Sequence, residues 1–462
     1  MPHFRQFCRA GFAPLTAESK LMTVTVALET LGCKVNQYES SYFRETLKGA
    51  GYRLVSFRDR ADIYLVHGCA VTSRAAFQTR QLLRRAQRIN SEAIIVAAGC
   101  QAQLEPERIA EERLATHILD NISKFDLASW LQVPGSLRHP LRASAGTRQF
   151  STFRPLAITG MHSGRARAFL KVQDGCDAHC SYCVVPSLRG HSRSLPADEV
   201  HLQLDRFLNQ GYQEVVLTGI HLGQWGKDLA PKQDLDALLT LLNQGPLPYR
   251  VRLSSLEPME WSEPLIEHLA HREWVCPHFH VPLQSGDESI LTQMRRPYTP
   301  RQYTEVIRAL RHLFPYAALG ADVLAGFPGE TEKQFARTYE LIDQLPLTYL
   351  HAFPFSPRPG TAAASMPHRV PSQELKRRVH LLHDLSRQKN LAFQMGLLGQ
   401  SVEVLAETQI EDGWWRGTSE NYLRVAFPAQ GALPQGSIAR VKLLEITEKG
   451  LVGKPVAIPL QK

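Results

Sequence analysis

Three cysteines far apart in the chain, Cys33, Cys69 and Cys100, each close a short apolar run: TVTVALETLGC, ADIYLVHGC and AIIVAAGC. Runs of this length and composition read as buried strands. The segments between them, SSYFRETLKGAGY and SRAAFQTRQLLRRAQRI, carry helical periodicity instead. Strand alternating with helix implies a parallel sheet with covering helices. Ligands in such sheets bind beyond the carboxyl ends of the strands, which is where these three cysteines would converge. Packing alone explains that placement poorly.

A second set is compact. Cys176, Cys180 and Cys183 lie together in GCDAHCSYC, a C-x3-C-x2-C run, so the two sets account for six of the chain's eight cysteines. Thiolates are the usual anchors of iron–sulfur clusters, and four of them normally hold a cubane. Three leave one iron open, and an open metal position is where chemistry happens. Each set therefore reads as a [4Fe–4S] site short of one ligand, and the pair as a two-cluster enzyme. A structural zinc is the competing reading, but its nearest fourth ligand, His179, is not at the usual spacing. Cys276, in WVCPHFHV, reads as a small buried hydrophobe. Cys8 falls in an N-terminal extension, and neither is assigned to a cluster. Eight cysteines in 462 residues do not make a disulfide scaffold. A reducing, cytoplasmic setting fits them.

The length predicts two to four domains. An apolar content of 44% with 21% charged residues is ordinary for a soluble protein. No apolar run approaches a membrane span. The net charge of +9 suits a polyanionic partner. Residues 1–22 are basic, lack the apolar core of a secretory signal, and read as a disordered extension, with Met22 as an alternative start. Residues 23–135 form the α/β parallel-sheet domain and 136–163 a Pro-, Ser- and Gly-containing linker. Over 164–396, the runs RAFLKVQDG, EVVLTGI, YRVRLSSLEP, FHVPLQSG, ALGADVLAGFPG and TYLHAFPFSP alternate with helical stretches, which predicts a partial (β/α)6 barrel. Residues 397–462 hold five short strands and predict a small OB-like β-barrel. Trp414, Trp415, Arg416 and Tyr422 there suit stacking on RNA; the alternative is that the aromatics fill the small barrel's core.

The compact triplet, with Tyr182 just before its last cysteine, resembles the signature of the radical S-adenosylmethionine (SAM) superfamily. The resemblance implies a cluster whose open iron chelates SAM and reductively cleaves it to a 5′-deoxyadenosyl radical. Residues for holding SAM recur at later strand ends: Gly219 in LTGIHLGQ, Ser254, Ser255 and Glu257 in LSSLEP, His280 and Gln284 in HVPLQSGD, and Asp322 in DVLAGFPGE. Isolated buried residues of these types are more often satisfied structural groups, and it is their recurrence that favours a site.

Taken in order, LGCKVNQYES, GCAVTSRA, AAGCQAQ, GCDAHCSYCVVPSLRGHSRS, LSSLEP, HVPLQSGD, DVLAGFPGE and FPFSPRPGTAA resemble the radical SAM methylthiotransferases, from Thr23 to the C-terminus. The resemblance implies a methylthiotransferase N-terminal domain, a radical SAM barrel and a C-terminal TRAM domain. It also implies a second [4Fe–4S] cluster on Cys33, Cys69 and Cys100 that carries the sulfur to be inserted. Lys34-Val35 is similar to the branch acting on N6-threonylcarbamoyladenosine next to the tRNA anticodon. Other branches act on isopentenyladenosine in tRNA or on a ribosomal protein aspartate. Implied partners are tRNA, two molecules of SAM, an electron donor of flavodoxin or ferredoxin type and a sulfur source.

For RNA, Arg189 and Arg193 lie near the chemistry, and Arg74, Arg80, Arg84, Arg85 and Arg88 make one helix basic. Salt bridging and a solvated helix face are the alternatives. A non-catalytic RNA-binding metalloprotein would not need the SAM-site motifs. A simple electron carrier would normally have four ligands per cluster.

Overall fold

The structure, a computed structural model, describes residues 24–127, 152–158, 165–242, 249–411, 413–429, 433–448 and 450–456. The extension expected over 1–22, with Cys8, and most of the expected linker lie outside the described residues.

The N-terminal sheet has five parallel strands, β1 (Thr25–Thr30), β2 (Arg53–Val55), β3 (Ile63–Gly68), β4 (Ile94–Gly99) and β5 (His117–Leu119), in the order β2-β1-β3-β4-β5. Helices α1 (Lys34–Gly49), α2 (Ser73–Ile89), α3 (Cys100–Leu104) and α4 (Pro106–Glu111) connect them. All six residues of β3 are buried, as a strand covered on both faces requires. One face packs Ala27, Tyr64, Val66 and Ala97 against Leu83 and Ala86 of α2. The other packs Val26, Leu28, Leu65 and Val96 against Phe43 of α1 and continues into the core of the next domain. α2 starts where the Thr72 hydroxyl accepts from the Ala75 N–H at 3.1 Å, an N-cap that satisfies a free helix donor.

The central region holds six parallel strands in two groups, β6 (Ala168–Lys171), β9 (Glu214–Thr218) and β10 (Arg250–Leu253), then β11 (His278–His280), β12 (Ala318–Ala325) and β13 (Tyr349–Pro354). A single bridge between Val251 and Val275 links the groups, so the expected partial barrel is present with a seam. An element the sequence did not announce is the short antiparallel pair β7 (Gln173–Asp174) and β8 (Arg193–Ser194). It brackets the loop that carries Cys176, Cys180 and Cys183.

The C-terminal strands β14 (Ser401–Glu411), β15 (Trp414–Ser419), β16 (Arg424–Pro428), β17 (Ile438–Thr447) and β18 (Gly450–Pro455) close into a small barrel around Val404, Val425, Phe427, Val441 and Leu443. It docks on the central domain through β10. Arg250 donates to the Glu403 and Thr418 carbonyls at 2.8 and 3.1 Å, and Arg252 to those of Ser419 and Glu420 at 3.0 and 2.9 Å. Both guanidinium groups share the buried Glu214 carboxylate. Among the described residues, no helix is long and apolar enough to cross a membrane.

Candidate active site

β1, β3 and β4 are neighbours at the centre of the first sheet, with Thr30 opposite His67 and Gly68 opposite Gly99. Their carboxyl ends therefore present Cys33, Cys69 and Cys100 side by side. The turn before Cys33 is tight. Gly32 has φ +102°, and a Cβ there would meet Cys69 Cβ at 2.5 Å and its sulfur at 2.8 Å, so only glycine lets the two loops approach. Asn36 braces the group: its Nδ2 donates to the Leu31 and Gly68 carbonyls at 2.9 and 3.3 Å, and its Oδ1 lies 3.8 Å from Cys33 Sγ. Asn121 Nδ2 reaches Cys100 Sγ at 3.5 Å. Burial and the neighbouring Cys100 and Cys33 sulfurs push the Cys69 thiol up to about 12.

The compact set is framed by donors. Ala178 N–H points at Cys176 Sγ at 3.4 Å, and Arg296 Nη1 donates to Cys180 Sγ at 3.2 Å. His221 Nδ1 lies 3.4 Å from Cys176 Sγ, with its Nε2 2.8 Å from Glu260. Burial would lower that imidazole, but hydrogen bonds to Cys176 and Glu260 raise it to about 10. Arg296 also pairs with Glu257 and with the Tyr298 hydroxyl. Donors aimed at sulfur favour the thiolate form.

A cavity of about 170 Å³ opens beside Cys183, lined by Val71 and Thr72 after Cys69, by Tyr182–Val185, and by Gln284, Asp322, Leu324 and Phe353–Ser356. Gln284 holds φ +63° on its wall, a conformation that costs a non-glycine residue of order 1–3 kcal/mol and clusters at functional sites. Asp322 Oδ1 sits 3.2 Å from both His280 Nε2 and His351 Nδ1. Burial opposes its charge, yet the two histidines hold the carboxyl well below its ordinary range.

Comparison with known proteins decides what this arrangement is. Residues 25–120 match the uncharacterized protein family UPF0004, and residues 170–342 the radical SAM superfamily. The threonylcarbamoyladenosine tRNA methylthiotransferase MtaB of Bacillus subtilis (strain 168) is 33% identical over 91% of this chain and 94% of the relative. The MtaB of Aquifex aeolicus (strain VF5) is 34% identical over 90% and 99%. This chain belongs to the radical SAM methylthiotransferase family. A tRNA-2-methylthio-N(6)-dimethylallyladenosine synthase of Symbiobacterium thermophilum is 30% identical over 94% of this chain and 95% of the relative. Among solved structures, the radical S-adenosylmethionine methyltransferase TsrM of Kitasatospora setae has a TM-score of 0.52 at 14% identity, covering 74% of this chain and 77% of that one, and shares the fold.

As a member of this family the chain is a radical SAM enzyme, and SAM with one [4Fe–4S] cluster follows. The compact set fits that cluster. Its three cysteines are free, they are converged by one loop, and the N–H groups around them point at sulfur rather than away. The scattered set is also free and converged. Cys69 and Cys100 are buried, no cationic hydrogen-bond donor reaches the three sulfurs among the described residues, and a coordinating metal would deprotonate the thiols.

The methylthiotransferase barrel redistributes several residues that the sequence offered. Arg189 and Arg193 do not face RNA. Arg189 is 2% exposed and bonded to Glu39, Asp174 and Asn36; Arg193 is 5% exposed and donates to the Arg189 and His191 carbonyls. A buried guanidinium is retained by internal acceptors, which here engage both terminal nitrogens of each arginine. Tyr422 stacks on His278 at 4.0 Å between ring centroids, so it joins the small barrel to β11. Trp415 packs against the C-terminal core, while Trp414 and Arg416 are half-buried. Gly219 is explained by Gln173, whose Oε1 would lie 2.7 Å from a Cβ there. Glu257 is engaged by Arg296 beside Cys180, and Ser255 holds His280 Nδ1 at 2.7 Å. Ser254 Oγ is buried with no hydrogen-bond partner among the described residues. Tyr182, Gln284 and Asp322 line the cavity. Sequence reasoning missed Asn121, Glu260 and Arg296, and gave no role to Asn36 and His221 although both lie inside quoted motifs, LGCKVNQYES and LTGIHLGQ. Asn36 follows Cys33 by three residues, one helical turn, whereas the others are far in the chain from the cysteines or partners they touch.

Proposed function

We propose that this chain replaces the C2 hydrogen of N6-threonylcarbamoyladenosine at tRNA position 37 with a methylthio group, using two SAM molecules and two [4Fe–4S] clusters. The observation that carries the reading is a pair of separate free-thiol triplets near one cavity, lined by Cys183 of the compact set and by Val71 and Thr72, which follow Cys69 of the scattered one. Cys176, Cys180 and Cys183 would hold the cluster that cleaves SAM. Cys33, Cys69 and Cys100 would hold the one that supplies sulfur. When bound, these groups supply a one-electron cleavage of SAM and a methylated sulfur, the chemistry needed because an aromatic C–H offers no easily removed proton.

The chain's own residues orient the reactants. Arg296 and the His221–Glu260 pair neutralise charge on the compact thiolate set. Asp322, fixed between His280 and His351, offers a carboxylate acceptor to a hydroxyl or ammonium entering the cavity. Gln284 and Tyr182 line the same cavity and offer further polar contacts. Val71, Leu324 and Phe353 make an apolar wall suited to a nucleobase and keep water from it.

The tRNA surface begins at the cavity mouth. Val71 and Phe77 are 51% and 53% exposed, and Arg74, Arg85 and Arg88 stand exposed on α2. Arg80 and Arg84 are paired with Glu105 and Glu112, so they contribute less. Trp414 and Arg416 extend the surface on the small barrel. Lys34-Val35 and the relatives named for threonylcarbamoyladenosine support this substrate over the isopentenylated one.

Nucleoside mass spectrometry of tRNA from cells lacking the gene tests the reading. Loss of 2-methylthio-N6-threonylcarbamoyladenosine with accumulation of its unmethylthiolated precursor is expected. Persistence of the modified nucleoside, with no second enzyme present, contradicts it.

A further inference from the structure

We infer that Arg189 is a positioning residue that fixes the separation and orientation of the two thiol sets. The inference rests on both sets holding clusters.

Arg189 ends the short helix Val185–Arg189, which begins two residues beyond Cys183. Within the barrel domain, Nη1 donates to Asp174 Oδ1 at 2.9 Å, and Asp174 lies two residues before Cys176. Both terminal nitrogens also reach across to the N-terminal domain. Nη2 donates to Asn36 Oδ1 at 2.8 Å, and the two terminal nitrogens reach Glu39 at 3.0 and 3.2 Å. Asn36 is the side chain that braces the Cys33 and Cys69 loops through the Leu31 and Gly68 carbonyls. Guanidinium and amide together join the loop of the compact set to the turns of the scattered one.

A second strap runs alongside. Asn121 Nδ2 donates both to the Leu188 carbonyl at 3.1 Å and toward Cys100 Sγ, while Lys124 holds its Oδ1 at 2.8 Å. Lys124 and Lys171 reach the same Glu39 carboxylate at 2.6 and 3.3 Å. Glu39 is fully buried, and Lys124, Lys171 and Arg189 are nearly so.

Such a network is a poor way to gain stability, since well-packed apolar groups do as well or better. What it provides is directional definition. A planar fork with donors on two edges fixes both partners at once, which a single ammonium cannot do. The setting demands such definition, because a displacement of about 1 Å between reacting groups can cost roughly 100-fold in rate.

The test uses the full chain with clusters reconstituted, as parent, Arg189→Met and Arg189→Lys. Three readouts are taken: iron per chain, the magnetic coupling between the two reduced clusters by pulsed electron paramagnetic resonance, and methylthio product per 5′-deoxyadenosine released. We expect both variants to keep about eight irons and to cleave SAM. Product per deoxyadenosine should fall by about 100-fold in Arg189→Met and less in Arg189→Lys, with a shifted or broadened coupling in both. A purely structural role would instead lower iron, SAM cleavage and product together. Should Arg189→Met lose the scattered site's iron, Arg189→Lys, which keeps the charge, carries the comparison. Parental coupling and product ratio in a fully loaded Arg189→Lys would overturn the inference alone. A parent with only about four irons would overturn the two-cluster reading and this inference with it.

Discussion

The compact and scattered thiol sets are brought together by opposite means. Cys176, Cys180 and Cys183 are gathered by one loop, closed at its base by the β7–β8 pair and faced by Arg296 and His221. Cys33, Cys69 and Cys100 are gathered by three strands of a sheet and by glycines that let the loops touch. The first site depends on local sequence, the second on the fold of a whole domain. Their environments differ accordingly. Side-chain cations of the barrel contact the compact sulfurs directly, whereas the scattered ones meet amides, with Arg189 behind them. Sites proposed for electron delivery and for sulfur delivery need not share surroundings, and these two do not.

The comparison breaks most sharply on the cysteines. Replacing Cys176, Cys180 and Cys183 with alanine should abolish both SAM cleavage and methylthio product. Replacing Cys33, Cys69 and Cys100 should abolish the product and leave SAM cleavage intact. Quantifying 5′-deoxyadenosine and the modified nucleoside together separates the two, and equal loss of both activities in the two triple variants would contradict a division of labour.

Glu39→Ala should come next. It leaves Lys124, Lys171 and Arg189 buried without their carboxylate, a loss of about 3–5 kcal/mol falling on the domain that assembles the scattered set. Iron should leave that site first in a denaturant titration, with the compact site's spectrum surviving longer. Simultaneous loss would show that the two sites are not separately supported.

Arg296→Met and His221→Phe remove the donors on Cys180 and Cys176. Outer partners of metal ligands typically contribute 10- to 100-fold in affinity or activity, so SAM cleavage should fall by about that factor. Iron at the scattered site should be unchanged.

The smallest effect lies away from both sites. Burial raises the Glu420 carboxyl to about 7, partly offset by Arg250. A carboxyl raised on folding contributes stability below its unfolded value near 4 and loses it as pH rises through about 7. Glu420→Gln should therefore raise Tm at pH 8 by about 1 °C, the shift that roughly 1 kcal/mol gives in a chain of this size. The gain should vanish toward pH 4, and iron per chain should stay parental. A gain that is the same at both pH values would rule out this titration as its cause.

How much of this could be read from the chain follows the same division. The compact set is visible because its spacing is local, and the scattered set because strand-like runs end on cysteine at the open end of a parallel sheet. The partial barrel and the small closed barrel were legible from alternating runs and short-strand spacing. The side chains that tune the sites were not. Arg296 touches Cys180 from far along the chain, and no periodicity announces it. Arg189 and Arg193 follow the cysteine loop as exposed basic residues would, yet buried acceptors on α1 and β7 capture the first and backbone carbonyls the second. Tyr422 offers a stackable ring as expected, and within the protein that ring stacks on His278, a partner no local pattern announces.

Whether one chain holds two clusters on two triplets is measured by iron and acid-labile sulfide after anaerobic reconstitution. About eight irons are expected in the parent and about four in each triple-alanine variant. About four in the parent, with no change when Cys33, Cys69 and Cys100 are replaced, would contradict the two-cluster proposal.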